Sequence, residues 1–154
     1  MVDLLIDEVH GADLGDERLN QRLVRIVERF GQSPNLSIPA ATTSRAEMEA
    51  AYRFFNNEKV SSDRILASHA ERTLERMAGQ SLVLMVQDTT EIDLTRPSQP
   101  VRGAGPMDCE SRRGAFFHPL MAFTPAGIPL GVAWHKLWTR EKIDRRAGTS
   151  RVCR

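Results

Sequence analysis

The pattern of apolar and polar positions divides the chain into a helical first half and a strand-rich second half. Between residues 14 and 79, apolar residues recur at spacings of three and four, which predicts amphipathic helices. From residue 80 they form short continuous or alternating runs, which are typical of strands. The chain is therefore predicted to be α+β, with a small all-α domain at 1–79, the first strands of a sheet at 80–140 and an irregular tail at 141–154.

The strongest helix signal follows Leu14-Gly15-Asp16, where Asp16 is a good N-cap and Gly31 can end the helix after Phe30. Its core-facing stripe comprises Leu19, Leu23, Ile26, Val27 and Phe30. Arginines repeat in the same way, each one position earlier, at Arg18, Arg22, Arg25 and Arg29. This places a row of guanidinium groups about 100° around the helix axis from the buried stripe. A solvated helix face explains the row as well, since Glu17 and Glu28 partly neutralise it.

Two further helices are predicted before residue 80. One begins at Ser44, with Glu47 three residues later as a capping box, and ends near Asn56. Its apolar stripe comprises Met48, Ala51, Tyr52 and Phe55, and two arginines, Arg45 and Arg53, lie off that stripe. The other runs from Ser61 or Ser62 to Ala78. A short helical candidate at 4–10 precedes all of them.

An uncharged apolar run from Ser81 to Gln87 ends at Asp88 and predicts a fully buried strand. A carboxylate at the end of such a strand lies at the rim of a sheet, where ligands and metals usually bind; a simple turn is the ordinary alternative. After a loop at 96–109, the runs 116–123 and 128–137 predict a hairpin. Three strands with a bare face make a poor complete sheet, so the chain is expected to be cut short.

Composition narrows the function only slightly. The net charge is +1, with ten Lys/Arg and thirteen Asp/Glu in residues 1–79 and eleven and seven in residues 80–154, so charge alone indicates no nucleic-acid binding. No apolar stretch approaches the ~20 residues of a membrane span, and the acidic N-terminus lacks signal-peptide features. A cytoplasmic, nucleoid-associated protein with no membrane partner is expected. Cys109 and Cys153 have no partners at zinc-ligand spacing.

Several short motifs, in order from about residue 12 to residue 140, resemble the bacterial cut-and-paste transposases of the Tn-five type, an IS-four-like group. They are Leu14-Gly15-Asp16, Ala51-Tyr52-Arg53-Phe54, Val86-Gln87-Asp88-Thr89-Thr90, Ser111-Arg112-Arg113-Gly114 leading to His118, and Trp134 with Trp138. The resemblance implies a helical DNA-binding domain, followed by an RNase H-like domain whose DDE triad holds two magnesium ions for DNA cleavage and strand transfer in transposition.

The resemblance also implies roles for individual residues. Asp88 matches the first catalytic aspartate of the triad, which touches both metal ions. Arg22 matches a DNA-contacting arginine of the first DNA-binding helix, Arg18 lies one turn before it, and Arg53 belongs to the Tyr-Arg motif. Arg45 is added from its position alone. The expected partner is double-stranded DNA with transposon-end inverted repeats.

The chain departs from the family pattern downstream, because the second aspartate and the glutamate of the triad have no counterpart in it. One carboxylate cannot hold two magnesium ions in catalytic geometry, so the chain is expected to bind transposon ends but not to cut DNA by itself. One alternative is a stand-alone regulatory protein that competes with full-length transposase, which would then be a further partner. Another is a helical interaction module without a nucleic-acid role.

Overall fold

The computed structural model describes residues 2–96, 99, 101–108 and 111–141. They form helices followed by an antiparallel sheet, which confirms the α+β prediction. Contacts divide the chain into two compact units, one within residues 1–81 and the other within residues 82–154. The predicted tail after residue 141, Cys109 and Cys153 lie outside the described residues.

The helical unit contains five helices. Their bounds are α1 Val2–Asp7, α2 Glu17–Gln32, α3 Ile38–Ala41, α4 Arg45–Phe55 and α5 Ser62–Ala78. The predicted caps Asp16 and Ser44 are confirmed, since each accepts a hydrogen bond from a backbone N–H of the first turn. Of the two starts predicted for α5, Ser61 is the cap and accepts from the backbone N–H of Arg64. Helix α2 continues through Gly31 and ends at Gln32, and the predicted connector at 34–39 contains the start of α3, so these two boundaries were wrong.

The core of the helical unit lies between α2, α4 and the segment that follows α1. Its buried side chains are Val9, Ala12, Leu14, Leu23, Ile26, Ala51 and Phe54. The predicted stripe of α2 is confirmed at Leu23 and Ile26. The predicted stripe of α4 is partly wrong, because Phe54 is 2% exposed whereas Phe55 is 47% exposed, and Tyr52 is exposed too.

The strand unit is a single sheet built around one long central strand. The strands are β1 Leu84–Gln87, β2 Thr90–Asp93, β3 Gly105–Pro106, β4 Arg113–Phe123 and β5 Pro129–Trp138. The other four strands all pair antiparallel with β4. The predicted hairpin is confirmed as β4 and β5, with Gly127 at φ +82° in the turn between them.

Strands β1 and β2 keep one register against β4, since Gln87 pairs with Leu120 and Thr90 pairs with Phe117. They are therefore two halves of one strand that is interrupted at Asp88 and Thr89. The prediction that this strand is fully buried was wrong, because Val86 is 52% exposed and its neighbours are similarly exposed. A strand is buried on both faces only where other elements pack over both, and the described residues of this unit belong to one sheet layer.

Candidate nucleic-acid interface

The segment Leu14-Gly15-Asp16 fixes where α2 begins. The buried Leu14 anchors the segment in the core, and its backbone N–H donates to Asn20 Oδ1 at 2.9 Å. Gly15 has φ +73°, a conformation that favours glycine, and it turns the chain into the helix. Asp16 then caps α2 by accepting from the backbone N–H of Arg18 at 2.9 Å. These three residues set the orientation of α2 and of the side chains on it.

Four arginines of α2 occupy one strip of the helix surface. At 100° per residue, Arg18, Arg22, Arg25 and Arg29 fall within an arc of about 60°, centred about 100° from the buried Leu23 and Ile26. The strip is about 16 Å long at 1.5 Å per residue. Arg18 and Arg25 are exposed and Arg22 is half-buried. The row expected from the sequence is therefore accessible along most of its length.

Arg29 differs from the rest of the row because it is held by a carboxylate of α4. Its Nε donates to Glu47 Oε1 at 2.9 Å. Within the described residues, the side chains of Arg18, Arg22 and Arg25 make no comparable ion pair or hydrogen bond. Arg22, Arg25, Arg29 and Glu47 line one surface depression between α2 and α4. Three cations and one anion thus share this depression, which leaves it with net positive charge.

Glu47 could not be singled out by periodicity, but its position in the sequence carried a signal. It is the acidic residue of the predicted capping box, and its backbone N–H does donate to Ser44 Oγ at 3.2 Å. Its carboxylate bonds the backbone N–H of Thr43 instead of that of Ser44. The contact with Arg29 joins residues 18 positions apart in the sequence, which no local pattern predicts.

Arg45 and Arg53 lie on a different surface from the α2 row. Each is two positions from a residue that faces α2, Glu47 or Ala51, and two positions correspond to about 200° around a helix. Both arginines therefore point away from α2, and both are exposed. Arg45 pairs with Glu49 at 2.9 Å, at 86% side-chain exposure, whereas Arg53 makes no such pair in the described part of the chain. The predicted DNA-contacting arginines thus form two groups.

Asp88 lies where the predicted strand is interrupted, and it is exposed. The hydrogen bond from Leu94 N to Arg113 O, at 2.8 Å, sets which pairs along this ladder are hydrogen-bonded. Hydrogen-bonded and non-hydrogen-bonded pairs alternate along the ladder, and Asp88 and Pro119 face each other at a hydrogen-bonded pair. Pro119 should donate its backbone N–H to Asp88 there, but proline has no N–H. The ladder therefore breaks at Asp88, and the Asp88 carboxylate accepts from the N–H of Thr89 at 2.7 Å.

The next residue, Thr89, pairs across the sheet with His118. Thr89 Oγ1 lies 2.7 Å from His118 Nδ1. The two residues are directly opposite in the register shared by β1 and β2, at a non-hydrogen-bonded position, where facing side chains are closest. This cross-strand bond links the two strands directly after the break in the backbone ladder, next to the start of β2. His118 belonged to a recognised motif, but its contact with Thr89 depends on strand pairing.

Three other acidic residues of the strand unit are bound by one arginine. Arg112 donates to Asp93 Oδ2 at 3.0 Å, to Asp108 Oδ1 at 3.0 Å and to Glu91 Oε2 at 3.4 Å. Thr95 and then Arg112 hold the pKa of Asp93 down to about 2. The carboxylates of Glu91 and Asp93 are thus both engaged by Arg112.

The residues around Asp88 fit one ligand position of a metal site rather than a whole site. Magnesium takes hard oxygen ligands, and a two-metal centre requires several of them in fixed geometry. Among the described residues, no three His, Cys, Asp or Glu side chains are grouped so that they could hold a metal ion. The described residues thus present one carboxylate of the type that magnesium prefers, at an exposed strand end.

Comparison with known protein families identifies the first part of the chain. Residues 1–60 match the family model described as transposase DNA-binding. The matched range contains α1 to α4 and all four predicted DNA-contacting arginines. The N-terminal part of the chain is therefore a transposase DNA-binding domain, which implies that it binds DNA. No helix in the described residues is long and apolar enough to cross a membrane.

Proposed function

We propose that the transposase DNA-binding domain of this chain docks on the transposon-end inverted repeats of a Tn-five-type element through the arginine row of α2. The observation that carries the proposal is that Arg18, Arg22 and Arg25 lie in one accessible strip and make no ion pair within the described residues. Guanidinium groups suit both phosphate oxygens and guanine edges. The same row can therefore contact the DNA backbone and also contribute to base recognition.

The length of the row supports contact with a duplex. The part of the row from Arg18 to Arg25 is about 10 Å long at 1.5 Å per residue, which corresponds to roughly three base pairs at 3.4 Å per base pair. Arg22, in the depression between α2 and α4, is the most restricted of the three and is proposed to make the most specific contact. Arg45 and Arg53, on the opposite side of α4, are proposed to bind a separate segment of DNA.

Fluorescence anisotropy with a labelled duplex tests this proposal. The duplex carries a candidate inverted repeat, and its competitor is a scrambled duplex of the same length. A charged hydrogen bond contributes about 1.5–3 kcal/mol, so Arg22→Ala is expected to weaken binding by about tenfold or more. Arg72→Ala is the matched control, since Arg72 is an exposed helix arginine of α5 that pairs with Glu75, and it should leave affinity unchanged.

Salt dependence separates contact with DNA from an indirect effect on folding. Each phosphate contact adds about −0.9 to the slope of log K against log salt. Arg22→Ala should therefore flatten the slope by about that amount if Arg22 binds a phosphate, with unchanged far-UV circular dichroism. Equal losses from Arg22→Ala and Arg72→Ala would count against the assignment of the α2 row.

Asp88 is proposed to be the first metal-binding carboxylate of a DDE site in an RNase H-like domain. Its place at the end of β1, its exposure and its carboxylate chemistry support this role. The described residues supply one such ligand, so no cleavage step is assigned to the chain itself. With magnesium and a supercoiled plasmid carrying the repeats, we expect binding without nicking. Nicking that Asp88→Ala abolishes would show that the chain completes the site.

A role as a competitor of full-length transposase is the second proposal. It is favoured by the location of all the candidate DNA-contacting arginines within residues 1–60, outside the strand unit. Adding the chain in excess to an excision reaction run by a full-length transposase of the same element should reduce excision. Arg22→Ala should remove that inhibition; inhibition that survives the substitution would point to another mechanism.

A further inference from the structure

The carboxylate of Glu47 is hydrogen-bonded both to a side chain of α2 and to the turn that precedes α4. Oε1 accepts from Arg29 Nε at 2.9 Å, and Oε2 accepts from the backbone N–H and the hydroxyl of Thr43, at 2.8 and 2.7 Å. The side chain is only 19% exposed. Glu47 therefore ties the C-terminal part of α2 to the turn that starts α4.

Glu47 is ionised throughout the pH range in which DNA binding is studied. The Thr43 hydroxyl, then the Thr43 backbone N–H and then Arg29, hold the pKa of Glu47 down to about 2. All of these donors favour the charged carboxylate. The pairing with Arg29 is thus a persistent feature of the surface at neutral pH.

The same depression contains Arg22 and Arg25, which have no such carboxylate partner among the described residues. Glu47 consequently gives Arg29 a different electrostatic environment from the other arginines of the row. It neutralises the arginine nearest the end of α2 and leaves the charge of the three preceding ones available. A phosphate that approaches the row meets Arg18, Arg22 and Arg25, which pair with no carboxylate in the described part of the chain, and meets Arg29 as part of an ion pair with Glu47.

We propose that Glu47 is a positioning and specificity-determining residue of the DNA-binding surface: it holds Arg29 against α4 and withholds it from phosphate contact. This inference rests on the proposed docking of DNA along α2. By removing one sequence-independent phosphate contact, Glu47 lowers affinity for all DNA and raises the share of binding that comes from Arg22 and its neighbours. Contacts to phosphate position a protein on DNA, whereas contacts to bases distinguish sequences.

Salt titrations of a set of variants test the proposal. Wild type, Glu47→Gln, Arg29→Gln/Glu47→Gln and Glu75→Gln are compared by anisotropy on a scrambled duplex between about 50 and 200 mM salt. Glutamine keeps an acceptor for Thr43 but loses the charge that holds Arg29. Glu47→Gln should steepen the log K–log salt slope by about 0.9, one additional phosphate contact. The double variant should return to the wild-type slope, and Glu75→Gln, which frees Arg72 on α5, should not alter it.

Two outcomes overturn the proposal. If the Glu47→Gln slope is no steeper than that of wild type, Arg29 does not reach phosphate when it is released. If the double variant keeps the steeper slope, the effect comes from removing the negative charge alone. A wild-type chain whose binding does not depend on salt would instead refute the proposed docking of DNA, before any variant is compared.

NMR on the unaltered chain gives a test that does not require any variant to fold. The Nε–Hε signal of Arg29 should be that of a hydrogen-bonded group and should stay in place when duplex is added, while the signals of Arg22 and Arg25 shift. A shift of the Arg29 signal as large as that of Arg22 would show that Arg29 contacts DNA despite Glu47, which overturns the proposal.

Discussion

Replacing Phe54 or Phe55 by alanine tests how α4 is oriented in the helical unit. The two rings are adjacent in sequence and contact each other edge-to-face, with centroids 5.4 Å apart. Phe54 is 2% exposed and packs in the core with Leu14, Leu23 and Ile26, whereas Phe55 is 47% exposed. The apolar stripe read from the sequence placed Phe55 in the core, so the two substitutions distinguish that reading from the observed packing.

The expected effects differ enough to be decisive. Replacing a buried phenylalanine by alanine typically lowers the free energy of unfolding by about 3–5 kcal/mol. The total free energy of unfolding of a unit of this size is about 4–12 kcal/mol. Phe54→Ala should thus lower the urea midpoint of the helical unit by roughly 2–4 M, or unfold it. Phe55→Ala removes an exposed ring and one aromatic pair, which contribute about 0.5–1.5 kcal/mol.

Two signals separate the units in this assay. Far-UV circular dichroism mainly reports the helices, whereas both tryptophans of the chain, Trp134 and Trp138, lie in β5 and report the strand unit by fluorescence. Phe54→Ala should shift the dichroism transition, and DNA affinity should fall with it because the core positions α2. A larger loss from Phe55→Ala than from Phe54→Ala would refute the observed orientation of α4.

Three further predictions concern the packing and the ionised groups. Gly114→Ala should destabilise the strand unit by about 1–3 kcal/mol, read by tryptophan fluorescence, because a Cβ there would collide with Ile92 O and Met107 Sδ; an unchanged midpoint would contradict this crowding. The pKa of Glu47 is about 2, below its ordinary 4.5, so its stabilisation is present above pH 4.5 and is lost as pH falls toward 2; Glu47→Gln should flatten that part of the acid titration of the helical dichroism. The pKa of Asp93 is also about 2, below its ordinary 3.8, so its stabilisation of the strand unit is present above pH 3.8 and is lost as pH falls toward 2. Asp93→Asn should therefore reduce the acid sensitivity of the unfolding midpoint measured by fluorescence. Equal sensitivity of wild type and variant would show that other groups dominate.

The sequence predicted what depends on local chemistry. Asp16, Ser44 and Ser61 mark helix starts because their side chains bond backbone N–H groups two or three residues away, and this needs no knowledge of tertiary contacts. The spacing of the α2 arginines likewise fixes their common strip. The hairpin of β4 and β5 followed from two apolar runs around a turn.

The rest depends on contacts between distant residues. Helix α4 carries apolar residues on several sides, so periodicity alone cannot decide between Phe54 and Phe55; packing against α2 does. The pairing of Arg29 with Glu47 is equally non-local. Strand β1 has the composition of a buried strand but is exposed, because burial is a property of what packs over a strand and not of the strand itself.

The proline opposite Asp88 has a consequence for motion within the sheet. Because the ladder lacks a donor at that point, the backbone hydrogen bonds of 84–87 and those of 90–93 form two separate sets. We therefore expect each set to break and re-form independently of the other. Amide hydrogen exchange would then proceed at two distinct rates on either side of the gap.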